Sequence, residues 1–145
     1  MALVEKSVLL SYSAEQMFAL VDNVADYPQF LPWCGGTSVV MVDENTVRAT
    51  VQINYHHVKQ SFTTVNVRVV PQRIEITLLD GPFKQLDGKW QFIALTSSAC
   101  KIEFRLNYEF SNKLLEKVVG PVFHYIATTF VEAFIKRAEQ VYTKK

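Results

Sequence analysis

The sequence predicts an α+β protein: a curved antiparallel sheet of about seven strands against one long C-terminal helix, with two short helices after the first strand. Apolar and polar residues alternate through much of residues 37–110, as in strands that bury one face. The connections within that span are too short for crossover helices, so neighbouring strands run antiparallel. Residues 111–143 instead repeat apolar side chains at helical spacing.

Length and composition indicate one globular domain spanning residues 1–145. Apolar residues make up 49% of the chain and charged residues 20%, which is typical of a folded protein. The net charge of +1 gives no overall attraction to nucleic acid or anionic membranes. The N-terminus carries Glu5 and Lys6 where a signal peptide has an unbroken apolar core, and no apolar run reaches the length of a bilayer span. We therefore expect a cytoplasmic protein.

Local signals predict the elements that precede the sheet. Residues 2–10 are rich in strand-forming side chains and form the first predicted strand. Ser13 and Gln16 make a capping box, so a helix is predicted from residue 14 to near residue 24. The next segment, DYPQFLPWC at residues 26–34, is called the aromatic segment below. A short helical turn between its two prolines is predicted to point its aromatic side chains inward.

Six further strands are predicted up to residue 110, divided by turn signals. The clearest alternation runs from Cys100 to Phe110, where every second side chain is apolar. Asp87-Gly88 lies within one long predicted strand. We interpret this glycine as a bulge that directs Trp90 inward rather than as a hairpin turn.

The long helix is predicted to consist of two lengths. Gly120 and Pro121 interrupt it, and the proline lacks a backbone donor, so a kink or break is expected there. Leu114 to Val119 are predicted to anchor one end of the sheet. Val122 to Phe134 are predicted to wall a space between helix and sheet.

A curved sheet closed by one helix leaves an internal space, and concave apolar spaces are the usual sites of small-ligand binding. The aromatic segment is too apolar for an ordinary surface loop, so we expect it to gate this space. Plain core packing is the alternative for each aromatic residue taken singly. The predicted lining comprises Tyr27, Phe30, Leu31, Trp33, Trp90, Phe92, Phe104, Leu106, Tyr108, Phe123, Ile126 and Phe130.

Signals for catalysis are weak. The sequence contains no glycine-rich phosphate loop, metal-spaced cluster or serine elbow. His56 and His57 are placed on a strand, where they would point to opposite faces and could not bind one metal together. Cys34 has no nearby base in the sequence, and Cys34 and Cys100 are expected to be reduced thiols. We expect no enzyme, no metal site and no required cofactor.

Three stretches carry a family resemblance. The order of one strand, two helices, six strands and a long helix resembles the START-like helix-grip fold, which polyketide cyclases and plant lipid carriers share. Within that fold, the sequences of Tyr12–Cys34, Asp80–Phe92 and Ala99–Glu116 are similar to bacterial ribosome-association toxins and to mitochondrial coenzyme Q-binding proteins. Tryptophan at position 33 is closer to the mitochondrial form.

The resemblance implies two activities without turnover of a substrate. One is binding of ubiquinone or a related polyisoprenoid lipid by the apolar cavity, in support of cellular respiration. The other is inhibition of translation, by binding the large ribosomal subunit so that it cannot join the small one. We expect exposed basic side chains to make that contact, with an ordinary solvated surface as the alternative. These side chains are Lys113, Lys117, Lys136 and Arg137.

The same resemblance leaves further partners and one further activity open. A transient contact with a membrane surface would place the protein peripherally at the inner face of the membrane. An antitoxin partner is a second option. A polyketide cyclase-like enzyme is the remaining alternative, although the sequence offers no acid and base pair for it.

Overall fold

The computed structural model describes residues 2–142 and shows the predicted order of elements. The elements are β1 (Ala2–Leu10), α1 (Ala14–Asp22), a 3-10 turn (Val24–Asp26), α2 (Tyr27–Phe30), β2 (Cys34–Asp43), β3 (Thr46–Tyr55), β4 (Val58–Val69), β5 (Arg73–Asp80), β6 (Phe83–Thr96), β7 (Ala99–Phe110) and α3 (Lys113–Tyr142). The seven strands form one antiparallel sheet in the order β1-β7-β6-β5-β4-β3-β2. The predicted α+β architecture is confirmed.

The core lies between one face of the sheet and α3. Strand β7 buries every second side chain from Cys100 to Phe110, as its alternation predicted. Helix α3 buries Val119, Phe123, Ile126, Ala127, Val131, Phe134 and Ala138, which recur at three- and four-residue spacing on one side of the helix. The two patterns meet because a sheet with one apolar face needs an apolar cover.

The start of α1 is fixed by the predicted capping box. Gln16 N donates to Ser13 Oγ at 3.0 Å, and Ser13 N donates to Gln16 Oε1 at 2.9 Å. The helix ends at Asp22, slightly before the predicted residue 24. Tyr142 OH donates to Gln16 O at 2.8 Å, so this short helix is tied to the far end of α3.

The placement of His56 and His57 on a strand is wrong. They form the two-residue turn between β3 and β4, with positive φ angles of 47° and 67°. Two left-handed residues in succession match the right-handed twist of a hairpin, although glycine or asparagine is the usual choice there. The turn therefore lacked its ordinary sequence signal.

Strand β6 is a single long strand, as predicted, but Gly88 is not a bulge. The register irregularities of β6 lie near its two ends, and Gly88 pairs regularly with Ile76 and Leu106 on the neighbouring strands. A Cβ at this position would lie 3.1 Å from Leu106 Cδ1 and 3.2 Å from Arg105 O. The glycine is needed because adjacent groups approach closely.

Replacing Gly88 by alanine is expected to lower the free energy of unfolding by about 1–3 kcal/mol, because the new methyl group overpacks the sheet against β7. Urea denaturation measures this loss. Gly120→Ala in α3 is the matched control, since its Cβ would have no neighbour closer than 3.8 Å. The control should gain about 0.5–1 kcal/mol from helix propensity. Equal effects of the two substitutions would contradict the assigned role of Gly88.

Helix α3 continues through Pro121 as one helix, so the predicted break is wrong. Pro121 lies on the exposed side of the helix. The predicted anchoring of the sheet by Leu114 to Val119 is also wrong in part. Leu114 is 71% exposed and Val118 56% exposed, whereas Val119 is buried.

By length and composition alone, α3 is long and apolar enough to cross a bilayer, contrary to the sequence-based expectation. Its most apolar window has a mean hydropathy of 1.5. The core helix of a water-soluble protein passes the same test, and the buried side of α3 packs on the sheet. Hydropathy alone therefore does not assign this helix to a membrane.

Candidate functional site

A cavity of about 90 Å³ lies between the sheet and α3. Its walls come from α1, the aromatic segment, the inner face of β3 to β7 and the middle of α3. Nearly all of the lining is aliphatic or aromatic. The cavity therefore has the character of a ligand site for apolar molecules.

Eight of the twelve predicted lining residues line this cavity. They are Tyr27, Trp33, Trp90, Phe104, Leu106, Phe123, Ile126 and Phe130. Phe92 and Tyr108 also face inward but lie beyond its ends. Phe92 stacks on Trp90 at 5.9 Å, and Tyr108 packs on Phe123 at 4.7 Å. Alternation predicts which face a strand residue occupies, but not how far along the strand a space extends.

Phe30 and Leu31, the two remaining predicted lining residues, lie on a different depression. An outer groove runs along the surface between the aromatic segment and α3, where Phe30, Leu31 and Trp33 meet Lys136 and Arg137. Trp33 lines both the outer groove and the cavity. Only 4% of Trp33 is exposed, and its ring lies 6.1 Å from that of Phe130. The Trp33 indole therefore separates the groove from the cavity.

The aromatic segment is held in place at three points. Near its start, Tyr27 OH donates to Val21 O at 2.5 Å. Burial raises the pKa of Tyr27 far above its usual value, and the charge of Asp22 adds to this, so the phenol stays a donor. In the middle, Arg137 Nη2 donates to Gln29 Oε1 at 3.1 Å, and near the end Asn54 N donates to Trp33 O at 2.9 Å.

The Arg137 guanidinium also lies 5.0 Å above the ring of Phe30, within cation–π range. Both of these Arg137 contacts are on the protein surface, and both join α2 to α3. They can break without exposing the core. Phe30 also packs on Phe134, with ring centroids 5.4 Å apart, so the Arg137 contacts add to an existing aromatic contact.

A polar cluster at one end of the cavity escaped prediction. Thr64 and Asn66 line the cavity from β4, and Thr64 Oγ1 donates to Asn66 Oδ1 at 2.8 Å. Arg68 is the next residue on that face, where alternation with the valines of β4 would place it in solvent. Its Nη1 instead donates to Asp22 Oδ2 at 2.7 Å, and its side chain is only 15% exposed.

This cluster could not be predicted from alternation, because β4 turns polar side chains towards the core and a valine towards solvent. Thr64, Asn66 and Arg68 face inward, while Val67 between them is 42% exposed. Alternation places valines inside, so it predicts the opposite face. The available signal was weak: polar residues recur at every second position from Thr64 to Arg68, between valines.

The cavity offers little for acid–base or nucleophilic chemistry. Cys34 and Cys100 are free and buried, as predicted, and burial raises the pKa of each thiol. Both are therefore protonated at neutral pH and poor nucleophiles. His124 lies outside the cavity lining, where its Nδ1 is 3.3 Å from Tyr108 OH. Within residues 2–142, no group of three or more His, Cys, Asp or Glu side chains could hold a metal ion.

The structure does not bring the four predicted basic residues together. Lys113 and Lys117 lie at the start of α3, and Lys136 follows after roughly six helical turns, or about 35 Å. These three lysines are exposed. Arg137 is partly buried and engaged with the aromatic segment, so it is less available to a partner than predicted.

Comparisons with known proteins agree with this architecture. The profile of the family described as polyketide cyclase / dehydrase and lipid transport matches residues 10–135. The ribosome association toxin RatA of Vibrio cholerae is 45% identical over 139 residues, covering 96% of this chain and 96% of that protein. The mitochondrial coenzyme Q-binding protein COQ10 homolog B of Xenopus laevis is 26% identical, covering 97% of this chain and 59% of that protein.

A solved structure supports the fold independently. A START superfamily protein from Mycobacterium smegmatis has a TM-score of 0.75 and 19% sequence identity, covering 96% of this chain and 98% of its own. At that identity the likeness concerns the fold alone. The START-like helix-grip fold implied by the sequence resemblance is confirmed.

Proposed function

This chain belongs to the polyketide cyclase / dehydrase and lipid transport family, and we propose that it is a non-catalytic protein that binds ubiquinone or a related polyisoprenoid lipid. One observation carries the proposal. An apolar cavity lies directly behind a tryptophan that also faces an outer groove. The name of the Xenopus relative, a coenzyme Q-binding protein, agrees with it.

The size of the cavity determines how such a ligand would enter. A cavity of roughly 150 Å³ accommodates a benzene molecule in another protein, and the cavity here has about 90 Å³. A quinone ring therefore requires movement of the lining. Rotation of Trp33 away from Phe130 would join the cavity to the outer groove. The tail could then lie along that groove, each buried methylene contributing about 0.8 kcal/mol.

Opening at Trp33 has a defined energetic cost. The contacts of Arg137 with Phe30 and Gln29 would have to break, each worth on the order of 1 kcal/mol or less. Trp33, which is 4% exposed, would also lose its packing on Phe130 until a ligand replaced it. The Tyr27 hydrogen bond would remain. The aromatic segment thus serves as a gate hinged at Tyr27.

The proposal excludes turnover because the cavity lacks a pair of groups that could move protons. Asp22 is its one lining carboxylate, and it is paired with Arg68. The names of both relatives describe binding or association rather than a reaction. Tyr27 is a lining group with a strongly raised pKa, but its hydroxyl donates to Val21 O, so the phenol is engaged as a structural donor.

Organic extraction of protein purified without detergent, followed by mass spectrometry, tests the proposal. We expect an isoprenoid quinone at a substantial fraction of one molecule per protein. A matched extract of Ala127→Leu protein, whose cavity is filled, is the control. If the wild-type extract contains no isoprenoid, and apo protein takes up no quinone on titration, the proposal fails.

Supply of such a ligand requires a donor membrane. At the start of α3, the exposed Leu114 and Val118 lie among Lys113 and Lys117. Apolar side chains flanked by lysines suit a shallow contact with an anionic bilayer. The proposal therefore includes a transient contact of this end of α3 with the inner face of a membrane.

A second candidate function is inhibition of translation by association with the large ribosomal subunit. The observation that favours it is the 45% identity to a ribosome association toxin along nearly the whole of both chains. This activity needs an outer surface and no cavity. It can coexist with lipid binding, or the cavity can be purely structural.

Charge reversal of Lys113, Lys117 and Lys136 to glutamate is expected to weaken any effect on ribosomes about tenfold or more, because contacts with RNA phosphates depend on exposed basic charge. Sucrose-gradient sedimentation measures the effect as subunits accumulating at the expense of intact ribosomes. Quinone uptake by the same variant should stay unchanged. An unaltered gradient with wild-type protein in excess would rule out this function.

A further inference from the structure

Among residues 2–142, two donors of the polar cluster have no protein acceptor: Arg68 Nε, which is buried, and Asn66 Nδ2, which borders the cavity. Asn66 is 9% exposed and lines the cavity. Its Oδ1 accepts the hydroxyl of Thr64 at 2.8 Å, which leaves Nδ2 on the other side of the amide. Among residues 2–142, no acceptor lies within hydrogen-bond distance of Asn66 Nδ2.

The Asn66 amide nitrogen borders the cavity without a protein acceptor in the described part of the chain, so only water or a ligand can accept its hydrogen bond. An apolar side chain of the same size would be buried there without needing a partner. An amide at this position is therefore suited to a ligand that brings its own acceptor.

The surroundings of Asn66 restrict which ligand group it would meet. Arg68 and Asp22 lie beside it as a close ion pair, so their charges compensate each other. Such an end attracts neither a carboxylate nor an ammonium group strongly. The cavity wall next to this polar end is aromatic: the ring centroids of Trp90, Phe104 and Phe130 lie within 6 Å of one another. A neutral ring bearing an oxygen acceptor suits both features.

We propose that Asn66 recognises the head group of the bound ligand by donating a hydrogen bond from Nδ2 to a neutral oxygen acceptor such as a quinone carbonyl. Thr64 orients the amide for this contact. The ring then lies against the aromatic wall, and the tail leads away from β4 towards Trp33. This inference rests on the proposed function and adds to it the position and chemistry of the head-group site.

Two probes that differ only in oxygen content test the inference: decylubiquinone and decylbenzene, each delivered from cyclodextrin and quantified after equilibrium dialysis. Asn66→Leu is expected to bind decylubiquinone about tenfold more weakly, the effect of one buried hydrogen bond. Its affinity for decylbenzene should stay the same or rise. Thr64→Val should show a smaller loss that is also confined to decylubiquinone.

Ile74→Val is the matched control, because Ile74 lines the same cavity without a polar group. It should change the affinities for both probes by one common factor. Ligand-free Asn66→Leu should also unfold at a temperature equal to or above that of the wild type, which a structural asparagine would not allow. If Asn66→Leu fails to fold, or loses affinity for both probes equally, the head-group assignment is overturned.

Different results would contradict the proposed function and the head-group site. Wild-type protein that binds neither probe removes the proposed function, and the head-group site with it. Wild-type protein that binds both, together with an Asn66→Leu variant of unchanged quinone affinity, removes the head-group site alone.

Discussion

Phe134→Ala is expected to lower the free energy of unfolding by about 3–5 kcal/mol, a large part of the stability of a domain of this size. Phe134 is fully buried on α3. The centroid of its ring lies 5.3 Å from that of Tyr27, 5.4 Å from that of Phe30, 5.5 Å from that of Trp90 and 5.0 Å from that of Phe130. The alanine variant therefore loses apolar burial and leaves a hole that several rings cannot fill together.

Urea denaturation followed by circular dichroism measures this loss. Leu114→Ala on the same helix is the control, because Leu114 is 71% exposed and should change the free energy by less than about 0.5 kcal/mol. The assigned role of Phe134, as the link between aromatic segment, sheet and helix, would be untenable if the two variants lost similar stability.

Ala127→Leu is expected to reduce quinone uptake by about a hundredfold or more, while leaving any effect on ribosomes intact. Ala127 is 2% exposed and lines the cavity from the middle of α3. A leucine side chain adds three carbon atoms, comparable in volume with the about 90 Å³ available. The predicted loss is several kilocalories per mole of ligand burial, at about 0.8 kcal/mol per methylene.

Titration of apo protein with decylubiquinone measures uptake, and gradient sedimentation measures ribosome association. Thr128→Leu is the control: it introduces the same side chain at the next position, outside the cavity lining. Thermal unfolding should show that Ala127→Leu remains folded, since overpacking costs about 1–3 kcal/mol. Unchanged uptake by folded Ala127→Leu would place the ligand elsewhere.

Most of the fold could be predicted because its signals are local. The alternation from Cys100 to Phe110 and the helical spacing along α3 depend only on near neighbours in the chain. Ser13 and Gln16 act on the same short scale. Each of these patterns therefore predicts its element without knowledge of the tertiary contacts.

Sequence-based predictions failed where a residue's role depends on contacts with residues that are distant in the chain. Gly88 is required by Leu106 and Arg105, which are distant in sequence, so the glycine was mistaken for a bulge. Pro121 was expected to break α3, but a single missing donor on the exposed side does not outweigh the packing of the opposite side.

The candidate site was predicted only in its apolar part. Aromatic residues on inward-facing positions indicated the walls, and eight of them line the cavity. Asn66 and Thr64 were missed because polar residues in a strand ordinarily face water. A buried polar pair in an apolar strand becomes visible only when the neighbouring strands are in place.

The positions of Trp33 and Trp90 have a practical consequence. They are the two tryptophans of the chain, and both line the cavity. Trp90 belongs to the fixed sheet, whereas Trp33 belongs to the aromatic segment. The tryptophan emission of the unlabelled protein, excited selectively beyond the tyrosine absorption, thus arises from the site itself, with one fluorophore on the sheet and one on the proposed gate.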